Sequence, residues 1–390
     1  MKLIPLSWIV KRSLKVLDNI EYGVMHLVTP EGKTITARGR QSGPEVTWTL
    51  HEWEVVRRLL ERGDIALGED YIAGRWEVDS VENLLTFFLL NYDHFEKFGN
   101  GNWLSRMGYA LYNRLVRQNS KGGSRKHIEA HYDVGNDFYK LWLDGTMTYS
   151  SAIFEEGAAG TLEEGQRAKY RRILDRLDSN ASSVLEIGCG WGGFAEEASK
   201  DISRVTGLTI SPSQHAYASA RLKDKAEVRL QDYRDVSGPF DAIVSIEMFE
   251  AVGERYWPVY FRTIADNLKQ GGKAVIQTIT MRDTDFEGYR MRSDFIRHYV
   301  FPGGMLPSLK RFREEAARAG LKCMDVFTFG QDYARTLREW LVRFDARREE
   351  ILAMGYSEAF IRNWRFYLGL CAATFAVGRT NVMQVELQHA

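Results

Sequence analysis

Gly188, Gly190 and Gly192 stand at alternate positions in VLEIGCGWGG (184–193), after an apolar strand-like run and ahead of a helical one. Glycines let a backbone turn sharply and approach a ligand with no side chain in the way. In a loop that follows the first strand of an alternating series, that pattern points to a nucleotide-type ligand. A dinucleotide fold would carry G-x-G-x-x-G and an acid about 20 residues further on for the ribose. Here the spacing is G-x-G-x-G, preceded by Glu186, and the next strand-like run ends in Thr209 and Ser211 without an acid. Both departures argue against a nicotinamide dinucleotide.

The loop needs a scaffold, and the chain supplies one from residue 183 onward. Strand-like runs begin at 183, 204, 227, 240, 273 and 324, with helical segments at 190–200, 212–222, 255–269 and 308–319 between them. Strands alternating with helices predict an α/β fold, a mostly parallel sheet covered on both faces. Between the strand at 273 and the helix at 308 lies MRDTDFEGYRMRSDFIRHYVFPGG, an insertion placed to form a helical lid beside the strand ends. Its Arg290, Arg292 and Arg297 would either meet lipid phosphate or form a solvated face. A helical stretch from 336 to 375 follows, read as an acyl-channel wall or as core.

At 390 residues the chain favours two or three domains. Lys plus Arg total 52 and Asp plus Glu total 52, which removes the whole-chain argument for nucleic acid binding. Cys189, Cys323 and Cys371 form no CxxC pair, so neither a disulfide framework nor a metal site is expected. The amino terminus breaks its apolar run at Lys11-Arg12, unlike a signal peptide, and the expectation is a cytoplasmic protein. Residues 1–100 mix strand-like runs such as GVMHLV with helical patterns at Leu50–Arg62 and after Asp79-Ser80, and read as a smaller α+β docking domain. Within 101–130, Trp103, Leu104, Met107, Leu111, Tyr112 and Leu115 form an apolar stripe. Arg106, Arg114, Arg117, Lys121, Arg125 and Lys126 surround or follow it. That basic amphipathic segment (103–126) reads either as a peripheral anchor for an anionic membrane surface or as an interdomain helix.

The E-x-G-x-G-x-G loop resembles class I methyltransferases that bind S-adenosyl-L-methionine. Six segments, in order and including that loop, narrow the likeness: HYDVGNDFYKLWLDGTMTYSSAIF (131–154), EIGCGWGG (186–193), GLTISPSQ (207–214), SIEMFEAVG (245–253), FPGGMLPS (301–308) and DYARTLREW (332–340). They resemble the cyclopropane-fatty-acyl-phospholipid synthases and the related mycolic acid methyltransferases, making 131–390 the methyltransferase domain. The segment 63–80 resembles the extra amino-terminal domain of the phospholipid-acting members.

This resemblance implies transfer of a methyl or methylene group from S-adenosylmethionine to the double bond of an unsaturated phospholipid acyl chain. It allows a homodimer. By analogy Tyr149, Ser150, Glu186, Gly188, Gly190, Gly192, Thr209, Gln214, Asp232 and Tyr233 would hold the cofactor. A carbocation intermediate calls for aromatic faces, and Phe154, Phe249, Tyr289, Tyr299, Tyr333 and Tyr367 are candidates. The family's base is a bound bicarbonate held by a cysteine, a glutamate, a histidine, a tyrosine and a second cysteine. Glu250, Tyr333 and Cys371 match that set, whereas the first cysteine is Ser151 and the histidine is Gln277. Three residues before Glu250, where typical synthases carry glycine, stands Glu247. The expectation is that the Glu247 carboxylate replaces bicarbonate, leaving a cyclopropane or a methyl, methylene-branched or hydroxylated product. A small-molecule N- or O-methyltransferase and a non-catalytic lipid-binding protein are the competing readings.

Overall fold

The computed structural model describes residues 6–92, 134–154 and 160–390, so the basic segment at 103–126 lies outside the described residues. The chain forms two compact units. The first combines the described part of residues 1–111 with Met291–Val300 and Asp345–Val377. The amino-terminal unit therefore also takes in part of the expected lid and part of the long helical stretch.

In this unit β1 (Tyr22–Val28), β2 (Thr34–Arg38), β3 (Gln41–Leu50) and β4 (Trp76–Val78) form a sheet in the order β2-β1-β3-β4. Along β3, alternate Val46, Trp48 and Leu50 are buried, the period of a strand with one covered face. Trp76 is wholly buried, and its indole N–H donates to the Leu67 carbonyl at 3.0 Å. Helical periodicity predicts a helix over Leu50–Arg62; β3 takes Leu50, and the helix starts at Glu54. Ser80 caps the Val81–Leu90 helix as expected, whereas Asp79 accepts instead from the Thr47 N–H across the sheet. Gly369, on the Glu358–Ala376 helix, allows close packing, because a Cβ there would lie 2.9 Å from the Val81 side chain.

The second unit comprises the described part of Tyr112–Arg290 together with Phe301–Phe344 and Gly378–Ala390. Its sheet contains β5 (Ser183–Ile187), β6 (Arg204–Thr209), β7 (Glu227–Leu230), β8 (Phe240–Ile246), β9 (Leu268–Met281), β10 (Leu321–Thr328) and β11 (Thr380–His389). The order is β10-β11-β9-β8-β5-β6-β7. The pairs from β9 to β7 are parallel, and β11 alone among these seven runs against its neighbours. Central β5 is buried throughout, as a parallel strand covered on both faces must be. Alternate residues feed two cores: Leu185, Ile187, Ile243 and Ile276 enter one, and Val184, Ala242, Val244 and Val275 the other.

The six strands expected from the sequence are present. β11 is a seventh, along which Met383, Val385 and Leu387 alternate with Gln384, Glu386 and Gln388. The helical stretch from 336 to 375 is three helices, Gly330–Ala346, Arg348–Ala353 and Glu358–Ala376. Gly355, at φ +92°, turns the chain before the last of these, and Ser357 caps it. The arginines of the insertion are engaged within their own units: Arg290 pairs with Glu254 at 2.7 Å, and Arg297 is buried against Asp294 at 2.5 Å. Arg292 donates to the Tyr92 hydroxyl at 3.1 Å. Burial and pairing make Arg297 a structural cation rather than a phosphate-reaching one.

Candidate active site

The loop after β5 carries its three glycines at φ +83°, +52° and +84°, a region that L side chains rarely adopt. The N–H groups of Gly188 and Cys189 donate to the Leu208 carbonyl, anchoring the turn to β6. A Cβ at Gly188 would lie 2.7 Å from Met248, so this glycine serves protein packing. A Cβ at Gly190 would meet no protein atom within 4 Å, so its backbone faces open space. Trp191 donates to Asn136 Oδ1 at 2.7 Å and packs on Tyr139, which in turn lies 5.6 Å from Tyr149. Trp340 closes the cluster, 5.3 Å from Tyr149.

The neighbouring strand ends supply polar groups beside this loop. Past β6, the Thr209 hydroxyl donates to Gln214 Oε1 at 3.0 Å, and Ser211 caps the helix that carries Gln214. Past β7, Asp232 is bound by Arg234 at 2.8 and 2.6 Å, and half-buried Tyr233 packs on Tyr260. Glu186 is buried at the foot of the loop, with its Oε2 unpartnered among the described residues. Burial pushes its carboxyl up to about 8, against the pull of the Lys169 charge. The open backbone face at Gly190 and the unpartnered Glu186 oxygen at the end of β5 fit a polar, cationic ligand, as S-adenosylmethionine is.

Lys169 was not singled out from the sequence. It lies on the Leu162–Arg176 helix, on the same buried stripe as Leu162, Gln166 and Ile173. A lysine on an apolar stripe is the signal that would have found it. Its ammonium donates to Ser150 Oγ at 2.6 Å, while Gln166 Nε2 donates to the Ser150 carbonyl at 2.9 Å. Burial pushes Lys169 down to about 7, opposed by the charges of Glu247, Asp144 and Glu186.

Glu247 stands in the turn after β8 at φ +50°, a left-handed conformation that costs a non-glycine residue roughly 1–2 kcal/mol. Three donors hold its carboxylate there. The Ser151 N–H and Gln277 Nε2 donate to Oε1 at 2.9 and 2.8 Å, and the Tyr333 hydroxyl donates to Oε2 at 2.6 Å. Ser151 contributes its backbone, because its hydroxyl turns to the Ala152 carbonyl. Segment 151–154 is itself pinned, with Ala152 N donating to Thr336 and Phe154 N to Asp332.

Glu250 accepts from the Thr278 hydroxyl and the Ile279 N–H, and its Oε2 has no partner among the described residues. Burial and the Glu247 charge push its carboxyl up to about 8. Burial also raises Glu247, but Lys169, Tyr333, Ser151 and Gln277 all pull it down. Burial thus pushes both carboxyls towards their neutral forms, but only Glu247 has donors on both of its oxygens.

Glu247, Glu250, Tyr333, Ser151 and Gln277 are therefore brought together, whereas Cys371 lies in the other compact unit, where burial raises its thiol. Among the aromatic candidates, Tyr333 reaches Glu247, and Phe249 is core, stacked on Trp257. The ring of Phe154 is occupied by the Arg335 guanidinium at 3.7 Å. Among the described residues no three metal-ligating side chains cluster.

A sheet of this order, with a glycine loop after β5 and an acid past β7, defines a class I S-adenosylmethionine-dependent methyltransferase. Residues 119–385 match the family model of mycolic acid cyclopropane synthetase, and the chain belongs to that family. It is 35% identical to the tuberculostearic acid methyltransferase of Mycobacterium tuberculosis over 93% of this chain and 87% of that one. It is 36% identical to the cyclopropane-fatty-acyl-phospholipid synthase of Escherichia coli, over 84% of each chain. A solved cyclopropane synthase of M. tuberculosis superposes with a TM-score of 0.63 at 30% identity, covering 70% of this chain and 99% of that one. Coclaurine N-methyltransferase, 21% identical with a TM-score of 0.64 over 83% of this chain and 98% of that one, shares the fold alone.

Proposed function

We propose that this enzyme methylates the double bond of an unsaturated acyl chain on a phospholipid, with Glu247 removing the proton that the product must lose. The observation that carries the reading is the ring of donors around Glu247. Bound S-adenosylmethionine supplies an electrophilic methyl group. The backbone of Gly188–Gly192 with Glu186 would hold its cationic end, Tyr149 and Ser150 would flank it, and Thr209, Gln214, Asp232 and Tyr233 would take the remainder.

An alkene is a poor nucleophile, so the protein's first task is alignment in a dry pocket. Methylation leaves positive charge on the acyl chain, which the Glu247 carboxylate and the Tyr333 ring would stabilise. A proton beside that charge is acidic enough for a carboxylate to take. Here Glu247 does what a diffusible bicarbonate does in typical relatives, and Glu250 remains the protonated neighbour.

Proton loss from the transferred methyl group closes a cyclopropane, the outcome this family's typical members favour. A second reading is a methylene branch, formed by a hydride shift along the acyl chain and loss of a proton from the transferred methyl group, favoured because the relative matched over 93% of this chain is named a methyltransferase of tuberculostearic acid. Membrane association through 103–126 remains part of the proposal on sequence grounds.

The test is incubation with monounsaturated phospholipid vesicles and methyl-deuterated S-adenosylmethionine, with products read by mass spectrometry and NMR. Two deuteriums in a saturated ring establish the cyclopropane; two on a branch alkene establish the second reading. Full turnover by Glu247→Gln without added bicarbonate would overturn the role given to Glu247.

A further inference from the structure

Two buried glutamines and an arginine link Glu247 to the helix layer. Arg172, on the Leu162–Arg176 helix, donates from Nη1 to Gln384 Oε1 at 2.7 Å. Gln384 Nε2 donates to Gln277 Oε1 at 3.0 Å, and Gln277 Nε2 donates to Glu247 Oε1 at 2.8 Å. Gln277 and Gln384 face each other across the β9–β11 ladder, and both are wholly buried.

A side-chain amide inside such a chain can be turned either way round. Arginine cannot: it only donates. Its place at the head therefore sets the direction of every bond that follows. Gln384 must turn its oxygen to Arg172 and its NH2 to Gln277. Gln277 must then present its own NH2 to Glu247, where a reversed amide would set oxygen against carboxylate. Arg172 is itself held, with its guanidinium 3.9 Å over the Phe327 ring and 3.5 Å from Asp325, which also pairs with Arg176.

We infer that Arg172, acting through Gln384, is a positioning residue that points the Gln277 NH2 at Glu247 and so favours its charged, proton-accepting form. The inference rests on Glu247 being the proton acceptor. Lys169 and Tyr333 also draw Glu247 towards its anion, and Glu250 feels the Glu247 charge; none of these three belongs to this relay. Buried amides aligned in series polarise one another, so the effect of a distant cation is carried further than through apolar packing.

The test titrates Glu247 directly in the full chain, by isotope-edited infrared spectroscopy of the glutamate carboxyls, with its band assigned by loss in Glu247→Gln. Arg172→Met keeps the apolar stem on Phe327 and removes the head of the relay; Gln384→Met breaks its middle. In each folded variant the proton concentration at half-ionisation of Glu247 falls about threefold to tenfold. Arg172→Lys, which keeps a charged donor, restores most of it. A Glu247 titration unmoved in both methionine variants overturns the relay. A shifted Glu247 titration that the pH profile of turnover does not follow leaves the relay standing and removes Glu247 as the base.

Discussion

The Tyr333 hydroxyl donates to Glu247 Oε2 at 2.6 Å, joining the Gly330–Ala346 helix to the turn after β8. Tyr333 is buried, so this contact forms largely away from water. Hydrogen bonds to charged groups contribute about 1.5–3 kcal/mol. Tyr333→Phe therefore removes a donor that favours the Glu247 anion and raises its pKa further. Turnover should fall about tenfold to a hundredfold near neutral pH, with partial recovery as pH rises. A pH–rate profile checks this; a uniform loss at every pH would assign Tyr333 a packing role instead.

Glu247 itself sits where a glycine is conformationally at ease, at φ +50°. Glu247→Gly relieves the backbone but leaves the Ser151 N–H, Gln277 NH2 and Tyr333 hydroxyl facing an open space. An anion with several acceptor oxygens would satisfy all three. Glu247→Gly is expected to be nearly inactive in bicarbonate-free buffer and to regain turnover as bicarbonate is added. The wild type should ignore the same addition. A glycine variant that bicarbonate does not rescue would show that these donors serve only the glutamate.

Much of this arrangement was legible in the sequence because it is local. The glycine loop, the strand series from 183 and the cap at Ser80 each depend on a few neighbouring residues. Glu247 was conspicuous by its place before Glu250, and the resemblance put Ser151, Gln277 and Tyr333 around it, but its left-handed backbone and the use of the Ser151 N–H rather than its hydroxyl were not legible. Gln384 was invisible: it meets Gln277 only through the β9–β11 register, and β11 was not foreseen. The two amides of that strand pair look like solvated polar residues until the sheet buries them. Tertiary pairing decides such positions, and local pattern does not encode it.

The raised carboxyl of Glu250 has a consequence for stability. Its carboxyl rises from an ordinary 4.5 to about 8 on folding. The folded state therefore binds the proton more tightly than the unfolded chain does. Its stabilising contribution is fully present below pH 4.5 and is lost as pH rises towards 8, at up to about 1.4 kcal/mol per pH unit. Glu186, also at about 8, acts in the same sense. Lys169, depressed to about 7, acts oppositely and adds stability as pH rises above 7. Glu250→Gln keeps the shape and removes the titration, so urea unfolding at pH 5.5 and pH 8 should show a smaller loss of stability in the variant. An unchanged difference between the two pH values would show that Glu250 does not titrate in this range.

Two glycines of one loop should fail differently when substituted. Gly188→Ala puts a Cβ 2.7 Å from Met248 at φ +83°, so clash and backbone strain both fall on the folded protein. Overpacking of that kind costs about 1–3 kcal/mol, and left-handed strain about 1–2 more. A lowered melting temperature is expected. Gly190→Ala also bears the strain, at φ +52°, but its new methyl group meets no protein atom within 4 Å. Its chief effect should therefore appear only when S-adenosylmethionine or its demethylated product approaches the backbone there. Calorimetric titration with S-adenosylhomocysteine should show affinity falling at least about tenfold, with stability reduced by little more than the strain. If Gly190→Ala bound the ligand as tightly as wild type, the cofactor would have to lie away from this face of the loop.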